Sequence, residues 1–220
     1  LYTGQEFIMG DSAVALRIIT EKASKRIAKH AFETAIQRGK KKRVTCVHKS
    51  NVMRKTDGLF AKSCESVANE FSDVQFDQMY VDACSMNLIR QPQEFDVIVT
   101  TNLFGDILSD ESSQVVGGLG MAPAANLGDN FGLFEPVHGA AFDIAGKQIA
   151  NPTSFILSVK MMLEWLGNKN NDHDSIYAGQ ILEETVLDVV KSGIATKDVG
   201  GNKSTREFTE EITSRLASQN

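Results

Sequence analysis

The amino-acid sequence predicts an α/β protein, because strand-like and helix-like segments alternate through its first half. Three segments have the composition of strands: RVTCVHKSNV, VQFDQMYVD and FDVIVTT, the last a continuous apolar run of the kind buried on both faces. The segments between them, DGLFAKSCESVANEF and ACSMNLIRQP, are predicted helices. The order strand, helix, strand, helix, strand is the signature of an α/β domain.

Two further elements are predicted before this unit. ALRIIT is expected to be a short strand, and EKASKRIAKHAFETAIQRGK an amphipathic helix that ends at Gly39. The predicted inward positions of that helix repeat every four residues: Ala23, Ile27, Ala31 and Ala35. In the following helix the predicted inward residues are Leu59, Phe60, Cys64, Val67 and Phe71. The basic run RGKKKR is interpreted as a solvated helix end rather than a nucleic-acid patch, because the whole chain is acidic.

The second half begins with a long segment that has little helical periodicity. Residues 117–152 are rich in Gly, Ala and Asn, and a structureless connection of this length is usually functional. A helix is predicted next, with Asn151 as its cap and Pro152 in its first turn. Because this helix is apolar almost all round, we expect it to be deeply buried. Two more helices complete the chain.

Composition and charge exclude several classes of protein. The chain has 220 residues, of which 42% are hydrophobic, enough for one large domain or two modest ones. The net charge of −5 argues against general binding to nucleic acid or anionic membranes, and no apolar run reaches the length of a membrane span. Three widely spaced cysteines, Cys46, Cys64 and Cys84, predict reduced core thiols in a cytosolic protein. The chain begins LYTGQEF, without an initiator Met, which favours a fragment of a longer protein over a processed N-terminus.

Polar residues lie at or just past the C-terminal end of each predicted strand of this unit. They form three groups: His48–Asn51, Asp82 and Thr100–Asn102. Ligands of open α/β sheets bind at the carboxyl ends of the strands, so this agreement favours an enzyme. Lys49 is a candidate base, since a lysine in a cleft beside a metal has its ammonium form disfavoured. His48 alternates with it and is expected to face the other way, as a support.

The stretch NLFGDILSDESSQ places Asp106 and Asp110 one helical turn apart, with Asp106 expected in the first turn and with apolar neighbours that indicate burial. Two like charges on one helix face repel each other. They are either solvated acids near a helix N-terminus or ligands that share a hard divalent cation such as Mg²⁺ or Mn²⁺. A firm site needs a third acid, and Asp82 is the candidate. These residues alone leave both interpretations open.

The segment EPVHGAAFDIAGKQIANP contains no phosphate-binding glycine motif. It does offer a carboxylate (Asp143), a histidine (His138), small residues and an Asn at a helix start. These groups could hold an adenosine, with the carboxylate on the ribose hydroxyls. An ordinary surface loop explains the same residues equally well.

Five blocks of the chain resemble those of one family, in the same order. NLFGDILSDESSQVVGGLGM resembles the signature of the β-decarboxylating dehydrogenases, which include isocitrate, 3-isopropylmalate, homoisocitrate and tartrate dehydrogenases. VHKSNV, YVDACSMNL, FEPVHGAAFDIAGKQIANP and DVGGNKSTREFTEEI are similar to further family blocks. The resemblance implies a two-domain, doubly wound α/β fold that lacks its N-terminal segment. Residues 1–117 would be the smaller domain, with the metal and catalytic residues and the dimer-interface helices, and 118–220 the C-terminal part of the larger, NAD-binding domain.

The resemblance also implies a shared site and a reaction. Asp106 and Asp110 would bind Mg²⁺ or Mn²⁺ together with Asp82, while Asp82 and Lys49 would come from the neighbouring subunit of a homodimer or higher homo-oligomer. The metal would chelate the hydroxyl and adjacent carboxylate of a 2-hydroxy acid and lower the pKa of that hydroxyl. Lys49 would accept the hydroxyl proton as hydride passes to NAD. The β-carboxylate would then leave as CO₂, and Tyr2 would help to protonate the enolate.

Cofactor positions follow from the same resemblance. They are Asn51, near the nicotinamide and substrate, and the loop residues Glu135, His138, Gly139, Asp143, Ile144 and Asn151. An aspartate accepts hydrogen bonds from both ribose hydroxyls but repels a 2′-phosphate, so Asp143 followed by Ile144 implies NAD rather than NADP. The loop departs from the family pattern at Ala140 and Phe142, where Ser or Thr and Pro are usual.

The substrate most favoured by the resemblance is 3-isopropylmalate, with isocitrate and homoisocitrate as alternatives. A non-catalytic regulatory subunit of a hetero-oligomeric isocitrate dehydrogenase is a further alternative, disfavoured because the chemical groups are all present. Family members carry, before the LYTG block, a segment with the arginines that bind the substrate carboxylates. We therefore expect the 220-residue polypeptide alone to be inactive, and the complete enzyme to be cytoplasmic.

Overall fold

The computed structural model describes residues 4–218, which form two compact units that divide between Ser112 and Ser113. The strands are β1 (Glu6–Met9), β2 (Ser12–Ala15), β3 (Arg43–His48), β4 (Gln75–Tyr80), β5 (Val97–Thr100), β6 (Pro123–Leu127) and β7 (Gly132–Pro136). The helices are α1 (Glu21–Arg38), α2 (Thr56–Ala68), α3 (Val81–Arg90), α4 (Asn102–Val115), α5 (Thr153–Asn170), α6 (His173–Lys191) and α7 (Thr205–Ala217). The chain is therefore α/β, as predicted. The roles assigned to residues 1–117 and 118–220 stay predictions.

The first unit contains a parallel sheet in the order β4-β3-β5. Its central strand is buried from Val44 to His48, while β5 lies at the edge and only Val99 is fully buried there. The expectation that the FDVIVTT strand is buried on both faces was therefore wrong. The strand that lies between two neighbouring strands is β3. All three strands run in one direction, so their carboxyl ends lie at one edge of the sheet.

Helix α1 packs through a face that differs in part from the predicted one. Its buried residues include Ala31 and Ala35, as expected, but also Ala28 and Phe32, whereas Ile27 is 44% exposed. An exact four-residue repeat drifts by about 40° per step on a helix of 3.6 residues per turn, so the early members of the repeat rotate out of the core. The helix ends at Gly39, as predicted, with a left-handed φ of 59°. The residues predicted to face inward from the second helix are all buried or half-buried, although Phe71 lies beyond the end of α2.

The expected strand at ALRIIT is shorter than predicted and lies earlier in the chain. Strand β2 ends at Ala15 and pairs with β1 in an antiparallel hairpin. Residues 16–20 have no regular secondary structure, and Thr20 caps α1 by accepting a hydrogen bond from the Ala23 N–H at 3.2 Å. The threonine therefore serves the helix rather than a strand, since a side-chain oxygen at this position satisfies one of the free N–H groups of the first turn.

The second unit is an antiparallel hairpin, β6–β7, with the helices α5, α6 and α7. The long segment 117–152 was expected to be a structureless connection, but it contains this hairpin. Helix α5 is also not deeply buried: its large apolar side chains are mostly half-buried, and Phe155 is 60% exposed. A separate core forms between α6 and α7, around Val186, Val189 and Phe208.

Within residues 4–218, no helix is long and apolar enough to cross a membrane. The three cysteines are free and buried, as predicted from their apolar surroundings.

Candidate active site

The carboxyl edge of the parallel sheet brings Lys49 and Asp82 together. Lys49 directly follows β3, and Asp82 is the second residue of α3, which begins where β4 ends. Strands β3 and β4 pair in register up to His48 and Tyr80, so the two following segments leave the sheet side by side. Lys49 Nζ lies 2.7 Å from Asp82 Oδ1. The sequence-predicted base and metal ligand are therefore an ion pair in one chain.

His48 is a buried supporting residue, as predicted, although both it and the ammonium group of Lys49, 5.8 Å from the ring centroid, lie beside Tyr80. It is 4% exposed, its Nε2 lies 3.1 Å from Gln78 Oε1, and its Nδ1 accepts a hydrogen bond from the Ser50 N–H at 3.2 Å. With both ring nitrogens engaged, the imidazole supports the turn after β3. Tyr80 packs edge-on against it, with ring centroids 5.6 Å apart.

The environment of Asp82 stabilises its charged form. The hydrogen bond from Lys49 is the main cause that lowers the pKa of this carboxyl group, and the N–H groups of Asp82 and Ala83 at the start of α3 act in the same direction. Unpaired N–H groups at a helix N-terminus favour a negative charge. Asp82 is largely exposed, so its oxygens remain accessible to a second partner.

The sequence interpretation missed two residues beside Lys49: Asp57, which binds its backbone N–H, and Arg17, which pairs with Asp57. Asp57, in the first turn of α2, is fully buried, and its Oδ2 accepts a hydrogen bond from the Lys49 N–H at 2.6 Å. Its Oδ1 forms an ion pair with Arg17 Nη1 at 2.5 Å. The signal for Arg17 was present, because a charged residue inside the apolar run ALRIIT needs a partner when it is buried.

The two aspartates of α4 lie elsewhere on the helix than predicted. Helix α4 begins at Asn102, so Asp106 is its fifth residue and lies in the second turn. The expectation of a first-turn acid was wrong, because the Thr101 carbonyl already accepts the Gly105 N–H at 2.8 Å and starts the helix earlier. Burial was also overestimated, since Asp106, Asp110 and Ile107 are exposed.

The side chains of Asp106 and Asp110 are of the type that binds a hard cation, but two carboxylates are too few for a firm site. Asp106 and Asp110 offer two accessible carboxylates four residues apart, and carboxylate oxygens are the ligands that Mg²⁺ and Mn²⁺ prefer. Among residues 4–218, however, no group of three or more His, Cys, Asp or Glu side chains lies close enough to hold a metal ion. Within these residues, α4 therefore has two candidate carboxylate ligands and no third one close to them.

The expected cofactor residues of the loop all lie in the second unit. Glu135 is on β7, where its Oε1 accepts a hydrogen bond from Asn126 Nδ2 at 2.9 Å. Asp143 is exposed in a single 3₁₀ turn, Phe142–Ile144, and His138 Nδ1 lies 3.0 Å from the Gly139 carbonyl oxygen. Asn51 belongs to the first unit. Tyr2 lies outside the described residues.

Asn151 is the most firmly held of these residues. Its Nδ2 donates to Asp198 Oδ2 at 3.0 Å, and its Oδ1 accepts the Thr153 N–H at 3.0 Å. The prediction of Asn151 as the cap was wrong by one residue: Pro152 is the N-cap of α5, and Asn151 accepts the Thr153 N–H from the position before it. Asp198 is fixed in turn by Thr196, whose buried hydroxyl donates to Oδ1 at 2.5 Å.

Comparisons with known proteins point in one direction. A family described as isocitrate/isopropylmalate dehydrogenase matches residues 1–212. The chain is 56% identical over 218 residues to the 3-isopropylmalate dehydrogenase of Sulfurisphaera tokodaii, covering 98% of this chain and 64% of the relative. It is 48% identical over 212 residues to the homoisocitrate dehydrogenase of Methanocaldococcus jannaschii, covering 96% and 58%. The alpha subunit of the human mitochondrial NAD isocitrate dehydrogenase is 46% identical over 218 residues, with 98% and 57% covered.

The fold has solved counterparts as well. The crystal structure of isocitrate dehydrogenase from Methylococcus capsulatus matches 98% of this chain with a TM-score of 0.88 and 42% identity. The match covers 64% of that chain. The present chain therefore spans less than two thirds of the length of these relatives.

Proposed function

Because the chain belongs to the isocitrate/isopropylmalate dehydrogenase family, we propose that the complete protein oxidises and decarboxylates a 2-hydroxy acid with NAD and a divalent metal ion. The observation that carries this proposal is the Lys49–Asp82 pair. A lysine and a carboxylate lie 2.7 Å apart at the carboxyl edge of a parallel sheet, where ligands of α/β proteins bind. Helix α4, with Asp106 and Asp110, begins just after the third strand at the same edge.

The residues divide the work of one balanced reaction. The 2-hydroxy acid and NAD⁺ become a 2-oxo acid, CO₂ and NADH, and the proton taken from the hydroxyl is balanced by one added to the carbon that loses CO₂. When bound, Mg²⁺ or Mn²⁺ supplies Lewis-acid polarisation of the substrate oxygens. Lys49 accepts the proton of the substrate hydroxyl as the hydride leaves the carbon that bears this hydroxyl. Tyr2 donates a proton to the carbon that has lost CO₂, which is general-acid catalysis.

We further propose that two copies of the chain share each site. One chain supplies two carboxylates on α4, and the third ligand, Asp82, comes with Lys49 from the partner copy. Exposed apolar side chains on both helices support an interface there: Met86 and Ile89 on α3, and Leu103 and Ile107 on α4. Exposed groups of this kind are typical of surfaces that another protein covers.

Complementation between variants tests the shared site. In a dimer, Lys49→Met and Asp106→Asn each inactivate both sites. If random mixing yields heterodimers, one of their two sites receives both defects and the other none, so about a quarter of the wild-type activity returns. A mixture that stays as inactive as its components after refolding together would contradict sharing.

The substrate we propose is 3-isopropylmalate, as in leucine biosynthesis, because relatives named for it are among the most similar. Asp143 favours NAD, since its carboxylate would repel the 2′-phosphate of NADP. We also assign the protein to the cytoplasm, on the strength of its three free cysteines.

One assay tests the activity. The complete protein is incubated with NAD, Mg²⁺ and each of 3-isopropylmalate, isocitrate and homoisocitrate, and NADH and CO₂ are measured. We expect the highest kcat/KM with 3-isopropylmalate, loss of activity in EDTA and loss in Asp106→Asn. Glu65→Gln, the same acid-to-amide change on an exposed part of α2, is the matched control and should retain activity. Rates that EDTA and Asp106→Asn leave unchanged would rule out the metal site, and no turnover of any substrate would refute the function.

A further inference from the structure

Asp57 is a buried carboxylate that the reaction does not use directly. It is 0% exposed at the start of α2, where the helix dipole favours its charge. Burying an ionised carboxylate is costly unless its oxygens are paired and hydrogen-bonded. Here Oδ2 accepts a hydrogen bond from the Lys49 N–H, whereas Oδ1 is paired with the charge of Arg17 at 2.5 Å and makes no hydrogen bond. Such an arrangement fixes the groups on both sides of it.

On one side, Asp57 completes the immobilisation of the Lys49 backbone. The Lys49 carbonyl oxygen already accepts the N–H groups of Val52 at 3.0 Å and Met53 at 2.8 Å. With the N–H of Lys49 donated to Asp57 at 2.6 Å, both polar backbone groups of this residue are held. Only the side chain is then free to vary, and it extends to Asp82.

On the other side, Arg17 carries the connection to the beginning of α4. Its Nη2 donates to Thr101 Oγ1 at 2.7 Å, and its guanidinium lies 5.2 Å from the centroid of the Phe104 ring. Thr101 directly precedes α4, and its carbonyl oxygen accepts the Gly105 N–H. The guanidinium of Arg17 is therefore hydrogen-bonded to the residue at which the helix that carries Asp106 begins. One ion pair therefore joins the segment of Lys49 to the segment of the α4 aspartates.

We infer that Asp57 is a positioning residue for Lys49, which it holds through the backbone N–H, with Arg17 as its own counter-ion. This inference rests on the proposed function, in which Lys49 is the base. Proton transfer requires the base within hydrogen-bonding distance of the hydroxyl, and a misplacement of about 1 Å costs on the order of 100-fold in rate. Asp57 touches neither substrate nor cofactor, and it acts through the backbone of Lys49.

The chain offers a closely matched control in Asp96. Its side chain is 2% exposed, it forms an ion pair with Arg38 at 2.9 Å, and it also accepts a backbone N–H, that of Arg43, at 3.4 Å. It differs in place, since it precedes β5 at the amino edge of the sheet, away from Lys49. Asp57→Asn and Asp96→Asn therefore remove equivalent ion pairs in the same unit.

The test uses the complete protein at a temperature where both variants are folded by circular dichroism. We expect Asp57→Asn to lower kcat about 10- to 100-fold, with the KM for NAD within about twofold of wild type. Asp96→Asn should lower the melting temperature but keep kcat within about threefold. Equal losses of kcat in the two variants, or an unchanged kcat in Asp57→Asn, would overturn the inference.

Hydrogen exchange gives a second readout that does not depend on turnover. In Asp57→Ala the Lys49 amide loses its acceptor, so its protection should fall about tenfold or more relative to that of Val47 in β3. Should Asp57→Ala fail to fold, Asp57→Ala with Arg17→Met, which also removes the unpaired cation, replaces it in this measurement. Unchanged protection of Lys49 would contradict the positioning role. An inactive wild-type protein with the expected loss of protection would instead refute only the proposed reaction.

Discussion

Gly120 offers a sharp test of how Asn151 is held in the second unit. A Cβ added at Gly120 would lie 3.0 Å from Asn151 Cβ and 3.0 Å from Asp198 Oδ2. Non-bonded carbon atoms prefer about 3.5–4.0 Å, so Gly120→Ala must displace Asn151 by roughly half an ångström. The Asn151–Asp198 hydrogen bond is already 3.0 Å long, and this shift stretches it beyond the usual limit of about 3.2 Å.

The cost of this change can be divided into a stability term and a binding term. Overpacking costs about 1–3 kcal/mol, and we expect about 2 kcal/mol here because both neighbours must move. For a domain of 150–250 residues, this lowers the melting temperature by about 4–8 °C. If Asn151 contacts the adenosine of NAD, losing one well-placed hydrogen bond of about 1.4 kcal/mol raises the Kd about tenfold.

Both terms are measured on the complete protein, by calorimetric titration with NAD and by thermal unfolding. Gly128→Ala is the control, because its added Cβ meets nothing closer than the Phe131 carbonyl oxygen at 3.5 Å, an ordinary contact. An unchanged melting temperature in Gly120→Ala would refute the packing argument. A lowered melting temperature with NAD affinity within twofold of wild type would support the packing argument and contradict a contact between Asn151 and NAD.

Three other predictions concern charge and burial. Lys49 lowers the pKa of Asp82, so the ion pair persists as the pH falls and is lost only below the ordinary range of a carboxyl group. An NMR titration of this carboxyl group should give a midpoint below 3.8, and Lys49→Met should raise that midpoint. Burial raises the pKa of the Cys84 thiol to about 11, so at pH 8 this residue should resist alkylation in the folded protein and react after denaturation, as peptide mass spectrometry would show. Phe208, 1% exposed between α6 and α7, should cost about 3–5 kcal/mol when changed to Ala, measured by denaturant unfolding; a cost below 1 kcal/mol would contradict its place in the core.

The part of the candidate site that depends on strand ends was predictable from sequence. Parallel strands align their carboxyl ends, so Lys49 after β3 and Asp82 after β4 could be expected to meet, and they do. The burial of His48 as a supporting residue was also predicted correctly. These inferences needed only element type and order, which local pattern determines well.

What could not be predicted depends on where helices start and how they are rotated. Asp106 was expected in a first turn, but the Thr101 carbonyl begins α4 earlier, and no composition signal distinguishes the two starts. Asp57 looked like an ordinary first-turn acid, because its two partners, Arg17 and the Lys49 N–H, are 40 and eight residues away in sequence. The contacts that set the position of the base are tertiary, and a single sequence does not display them.

The Lys49–Asp82 pair also places a condition on the proposed chemistry. In one chain the ammonium group of Lys49 is held 2.7 Å from Asp82, and an ammonium in an ion pair has no lone pair with which to accept a proton. The base role therefore requires Lys49 to lose this proton to solvent and Asp82 to turn toward another partner, for which its carboxylate is sufficiently exposed. In the proposed site that partner is the metal ion, and Asp57 would keep the Lys49 backbone in place during the change. Under this proposal, the carboxylate of Asp82 is the counter-ion of the lysine before the reaction and a metal ligand during it.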